Sequence, residues 1–134
     1  MALDGNSIPK PEITQASGYN LDLRSFQGDP VITVKKWPSM AKDQKVWLAV
    51  EGVTTDGLPA SIALWTSAKV VERELDYGLS KPIPRSELER FSNGPVTVRL
   101  RVADVGGSEA SAIAAPLAEF MLTKSPSGRN LIME

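Results

Sequence analysis

The sequence predicts an all-β domain, a sandwich of six or seven short strands. Three observations point there. Apolar and polar residues alternate in several short runs, and turn-forming residues punctuate those runs. The composition, 42% hydrophobic and 23% charged over 134 residues, is that of one globular domain with a core of its own.

The clearest run is Val96, Val98, Leu100 and Val102, with Thr97, Arg99 and Arg101 on the opposite face of a half-buried strand. Val46, Leu48 and Val50 repeat the pattern, opposite Trp47, Ala49 and Glu51. Shorter versions occur at Ile32/Val34 and Ile62/Leu64, and Leu21–Phe26 adds a strand at the start. Across Val70–Leu79, alternation puts Val71, Leu75, Tyr77 and Leu79 on one side and Glu72, Glu74 and Asp76 on the other, which predicts another strand. The last, Ile113–Thr123, is broken by Pro116 and reads as an edge strand or a bulge. Gly28-Asp29-Pro30, Thr55-Asp56-Gly57, Asn93-Gly94-Pro95 and Gly106-Gly107 supply the turns. One segment departs from the β pattern. Pro84 suits the first position of a helix, Leu88 and Phe91 fall one turn apart, and Asn93-Gly94 is a stop, which predicts a single short helix.

Residues 1–18, with Pro9 and Pro11 among polar neighbours, read as an extended linker; 19–124 form the compact domain, and 125–134 form a tail. Met1–Asn6 carry neither a basic n-region nor an apolar h-region, so no secretory signal is read there. The longest apolar stretch, Ala112–Ala118, is too short to span a bilayer, so no membrane insertion is expected.

Charge and residue types narrow the function classes. Fifteen Lys and Arg against sixteen Asp and Glu give a net charge of −1, which argues against a nucleic-acid partner. The absence of His and Cys removes a required part from zinc-finger, Cys-protease and Ser-His-Asp readings. Ser39-Met40-Ala41-Lys42 matches a Ser-x-x-Lys signature, but its partner motifs are missing and the setting is an inter-strand loop, so coincidence is the reading. The aspartates are scattered and form no calcium loop, while Glu72, Glu74 and Asp76 read as a solvated face; no metal and no cofactor are expected. A hydrolase would have to rest on a carboxylate pair whose spacing the sequence does not give.

Several segments then resemble a known module. Asn20-Leu21-Asp22-Leu23-Arg24-Ser25-Phe26-Gln27-Gly28-Asp29, Val31 to Val34 leading into Trp37-Pro38, and Gln44-Lys45-Val46-Trp47-Leu48 are similar to the immunoglobulin-like repeat domains of large multi-domain bacterial surface proteins. Gly78-Leu79-Ser80-Lys81, Arg85–Glu89 and Val96-Thr97-Val98 extend the resemblance over about residues 9–124. It implies an immunoglobulin-like antiparallel β-sandwich of about seven strands with one short helix between the fifth and sixth strands. It also implies a non-catalytic structural or spacer module at the cell surface or in secretion, with neighbouring repeats as partners. Antibody features are missing, namely the Cys pair and a Tyr in the strand beginning near Val96.

The alternative is a binding module, adhesin-like or carbohydrate-recognising, that meets a surface glycan or protein through an exposed aromatic face. Its candidate contacts are Trp47 and Trp65, both out of phase with the apolar sets of their strands and so assigned to outer faces. A covering loop or a bulge would instead bury them. Trp37-Pro38 is expected to pack where the chain crosses between sheets, and Leu88 and Phe91 to be core contacts.

Overall fold

A computed structural model of the chain describes residues 8–38 and 40–124. The molecule is mostly β, with antiparallel and mixed pairing. Among the described residues its strands are β1 (Glu12–Ile13), β2 (Asn20–Asp22), β3 (Val31–Val34), β4 (Lys45–Val53), β5 (Pro59–Lys69), β6 (Leu79–Pro82), β7 (Gly94–Ala103), β8 (Ile113–Ala114) and β9 (Ala118–Thr123). One-turn helices α1 (Glu74–Tyr77) and α2 (Arg85–Leu88) fall before and after β6, and Leu23–Ser25 and Glu109–Ser111 form 3-10 turns.

The strands make two sheets. One has the order β1-β3-β6, and the other runs β2-β9-β7-β4-β5 with β8 also on β7. All neighbours are antiparallel except β2 and β9, which are parallel with Asn20 opposite Met121 and Asp22 opposite Thr123. One apolar cluster joins Ile13, Ile32, Val34 and Leu79 of the smaller sheet to Leu48, Val50, Val98 and Leu100 of the larger. The alternation in β4 and β7 therefore reads out directly: Val46, Leu48 and Val50 are buried together with Val96, Val98, Leu100 and Val102. Each such side chain contributes about 1.5–3 kcal/mol on leaving water.

Connections between the sheets are pinned by polar contacts. Trp37 is buried on the crossing from β3 to β4, as expected. Its indole Nε1 donates to Gln44 Oε1 at 3.2 Å, which also accepts from the Ala41 backbone N–H at 3.0 Å. Gln44 Nε2 donates to Asp104 Oδ1 at 3.0 Å, so a fully buried amide ties this crossing to the end of β7. On the return side, α2 sends Leu88 into the core and Phe91 follows one turn later, both essentially inaccessible.

Three expectations are corrected. Residues 8–18 are no linker: Ile8 and Ile13 are buried in the core and β1 pairs with β3. The prolines hold the segment extended along an edge without requiring it to be free. Val70–Leu79 is no strand. Val71 and Glu74 bond reciprocally, Glu74 N–H to Val71 O at 3.0 Å and Val71 N–H to Glu74 Oε1 at 2.8 Å, which folds a local turn into α1. Val71 is 45% and Tyr77 86% exposed, so only Leu79 of the alternating set is buried, with Leu75 partly so. Finally, Leu21–Phe26 is strand only to Asp22; the Asp22 carboxylate accepts from the Arg24 backbone N–H at 2.9 Å and caps a 3-10 turn. The segment expected as one last strand, Ile113–Thr123, is divided around Pro116 into β8 and β9, and β9 lies between β7 and β2 instead of at an edge; residues 125–134 lie outside the described residues.

Candidate functional site

The two tryptophans singled out by the sequence line one hollow together with Ala63, Arg99 and Arg101, but they are set differently in their strands. Trp47 does lie on the outer face, opposite Arg101 of β7. It is nonetheless only 8% exposed. The Arg101 guanidinium stands 5.9 Å from the centre of its ring and is held by Glu109 at 2.5 Å. Lys45 Nζ donates to Gly107 O at 2.9 Å, which draws the β7–β8 connection onto this end of the sheet. The covering-loop expectation therefore describes Trp47, and Arg101 with Arg99, paired to Glu51 at 3.2 Å, forms no free basic patch.

Trp65 has been turned inward by a change of register. Ala49 sits opposite Ala63, but Leu48 sits opposite Trp65 and Val46 opposite Ala68, so β5 carries two extra residues. One is Leu64, between Ala63 and Trp65, and it sets the phase of Trp65; the other falls between Trp65 and Ala68, where Ser67 has a left-handed φ of 57°. Beyond the shift Trp65 aligns with the core residue Leu48, is half-buried, and packs against the core with Lys81 Nζ 5.9 Å from its ring centre. Alternation failed at Trp65 because no glycine marks the bulge.

The most exposed aromatic surface beside a hollow lies elsewhere, at Tyr19. A bridge between Ser17 and Asn20 closes a turn, with Gly18 at φ 61°, and throws the Tyr19 side chain outward to 70% exposure. Its carbonyl accepts from the Met121 N–H at 2.6 Å, and Lys10 Nζ sits 5.9 Å from its ring centre. Two hollows of about 680 and 490 Å³ flank it and share Lys10, Tyr19, Glu119 and Phe120. The larger adds the exposed Leu117 and Met121 together with Pro95. β2 covers only Met121–Thr123 of β9, so among the described residues Ala118–Phe120 have no strand on the side facing away from β7. A flat ring, two aliphatic side chains, one cation, one carboxylate and an open strand edge are groups that bind by stacking and hydrogen bonding. Tyr19 carried one signal in the sequence, an aromatic in a polar turn, but it sits at the junction read as a linker boundary.

The remaining candidates do not converge. Ser39 lies outside the described residues, and Lys42 is exposed in the crossing loop. Glu74 and Asp76 are on α1 with Glu72 in the turn before it, and no group of three metal-ligating side chains occurs among the described residues. Among the described residues the carboxyl with a shifted titration is Asp22, held below its ordinary value of 3.8 by the side-chain hydrogen bonds of Arg24 and then by the Arg24 backbone N–H. That pair serves the 3-10 turn. Comparison of the chain with protein-family models, with curated proteins and with solved structures finds no match in any of the three.

Proposed function

We propose that this chain is a non-catalytic immunoglobulin-like module acting as a structural spacer of a bacterial surface or secreted protein. The strand order supports the fold part of this reading. β1, β3 and β6 on one sheet and β4, β7 and β9 on the other follow the immunoglobulin distribution of first, second and fifth strands against third, sixth and seventh. Relative to about seven strands, β5 takes the fourth place, on the edge of the larger sheet beside the third, and β8 is a short piece split off before β9. β2 is the second half of a first strand that changes sheets. The surface setting rests on the sequence resemblance.

The observation that carries the spacer reading is the parallel pairing of β2 with β9. Residues 10–13 share a hollow with Glu119 and Phe120, while Asp22 lies opposite Thr123. The first strands thus run alongside the last in the same direction, and the polypeptide passes through the domain from one end to the other. Tension along that path shears the β2–β9 ladder, loading its bonds together instead of opening them one at a time. Lys124, just past β9, is fastened as well, its N–H to Asn93 Oδ1 at 2.9 Å and its Nζ to Glu89 O at 2.5 Å.

Single-molecule pulling tests this. Drawn through its first and last residues, the chain is expected to rupture in one step, at higher force than when drawn through Lys45 and Lys69. Those two are register partners at the open end of the β4–β5 hairpin and are peeled apart. An equal or lower force through the chain ends contradicts the spacer reading. A binding module is the second reading, and the exposed Tyr19 beside its two hollows, in place of the two tryptophans, is what favours it.

A further inference from the structure

We propose that Asn93-Gly94 is a self-modification site, held shut by the end of β9 and released to form a succinimide when that end opens. The proposal is independent of the spacer reading and starts from residue types. Of the four asparagines, Asn6, Asn20, Asn93 and Asn130, only Asn93 is followed by glycine. Glycine has no β-carbon, so nothing of its own shields its amide nitrogen from the preceding side chain. Asn93 is also exposed, in the turn between α2 and β7, so water reaches it.

The chemistry needs this chain and water alone. Gly94 N, once deprotonated, attacks Asn93 Cγ; a new C–N bond forms and the Cγ–Nδ2 bond breaks. The proton lost from Gly94 is returned through solvent to Nδ2, which leaves as ammonia. Water then opens the five-membered ring at one of its two carbonyls. Opening at Cγ gives aspartate. Opening at the main-chain carbonyl gives isoaspartate, whose main chain runs through Cγ.

Two bonds from the end of β9 stand in the way of ring closure. Met121 donates its N–H to Tyr19 O, away from β7, so its neighbours Phe120 and Leu122 turn theirs toward β7. Gly94 lies opposite Leu122 and the pair exchanges both ladder bonds, so the proton of the attacking nitrogen is held on Leu122 O. The carbon under attack is tethered as well, because Asn93 Oδ1 accepts from the Lys124 N–H at 2.9 Å. Both tethers are released together when Leu122–Lys124 peels from β7, a local opening of the kind that strand ends undergo. Isoaspartate adds one main-chain atom between residues 93 and 94. The spacing that lets residue 93 reach Lys124 while Gly94 pairs with Leu122 is then lost, and a transient opening becomes permanent.

Peptide mass mapping of the full chain in mildly alkaline buffer tests this. In guanidinium chloride, Asn93 is expected to convert before the other three asparagines. In the folded chain its conversion is expected to be at least about tenfold slower. Lys124→Pro removes the N–H and Lys124→Ala keeps it, while both lose the contact of Nζ with Glu89 O. Folded Lys124→Pro is expected to convert Asn93 about two- to tenfold faster than folded Lys124→Ala. Another asparagine converting first in guanidinium chloride overturns the proposal. Equal rates in the folded and unfolded chain overturn it too, as do equal rates for the two variants. Should circular dichroism show that Lys124→Pro does not fold, amide hydrogen exchange of the parent decides. The Gly94 amide is expected to be protected by about the factor that slows Asn93. A Gly94 amide that exchanges freely beside a slowed Asn93 overturns the proposal.

Discussion

Replacing Gly78 with alanine is expected to cost the fold about 3 kcal/mol or more. Gly78 ends α1 at φ 83° and ψ −168°, a conformation that residues with a β-carbon scarcely adopt, while its N–H bonds to Glu74 O at 2.8 Å. Strain is only half the effect. A β-carbon there would fall inside the van der Waals shell of Val34 O and come within 3.1 Å of Lys36 N. Both obstacles are backbone, in and just past β3, so no side-chain rotation relieves them. The next residue, Leu79, begins β6 and pairs with Val34, so relief would pull open the register of the smaller sheet. Gly57 separates the two contributions. It has φ 84° but open space around its β-carbon position, and Gly57→Ala is expected to cost only about 1 kcal/mol. Urea unfolding of both variants measures the difference; equal midpoints would remove the close approach from the explanation.

Arg85→Ala is expected to cost about 3 kcal/mol, and Arg85→Lys nearly as much. The guanidinium donates from Nε to Gly28 O at 2.8 Å, from Nη1 to Leu23 O at 2.8 Å and from Nη2 to Phe26 O at 2.7 Å. Its central carbon also lies 4.8 Å from the centre of the Phe26 ring. Three carbonyls of the β2–β3 connection thus converge on one planar fork carried by α2, a geometry that an ammonium group on a flexible stem does not reproduce. The Arg85 backbone N–H, bound to Asp29 Oδ1 at 2.9 Å, survives either substitution. The predicted loss therefore belongs to the side chain. Thermal or urea unfolding checks it, and an Arg85→Lys variant within about 0.5 kcal/mol of the parent would show that the fork is not what holds this loop.

What the sequence made legible, and what it hid, follows from how far each determinant reaches. β4 and β7 are long, central and covered on one face, so the period of two survives unbroken from Val46 to Val50 and from Val96 to Val102. The turn at Gly78 hid behind the same signal. Val71, Leu75 and Tyr77 are spaced two or four apart, a pattern shared by a strand and a helical turn over so short a window. The deciding contact is the local Val71–Glu74 pair. Trp65 was misassigned because one extra residue, Leu64, stands between Ala63 and Trp65 against the single step from Ala49 to Leu48, and nothing in the sequence marks that shift. Pro9 and Pro11 read as a linker because proline describes backbone extension and says nothing about burial, yet Ile8 and Ile13 beside them are core residues. The Tyr19 surface exists only because the chain leaves one sheet at β1 and joins the other at β2, a handover that requires both sheets to be in place.

The parallel register of β2 on β9 is the point on which the proposed passage of the chain from one end of the domain to the other stands. Interstrand nuclear Overhauser contacts between backbone protons of these two segments test it most directly. The account predicts contacts linking Asn20 to Met121 and Asp22 to Thr123. Contacts linking Asn20 to Thr123 and Asp22 to Met121 would mean antiparallel strands, and would contradict it.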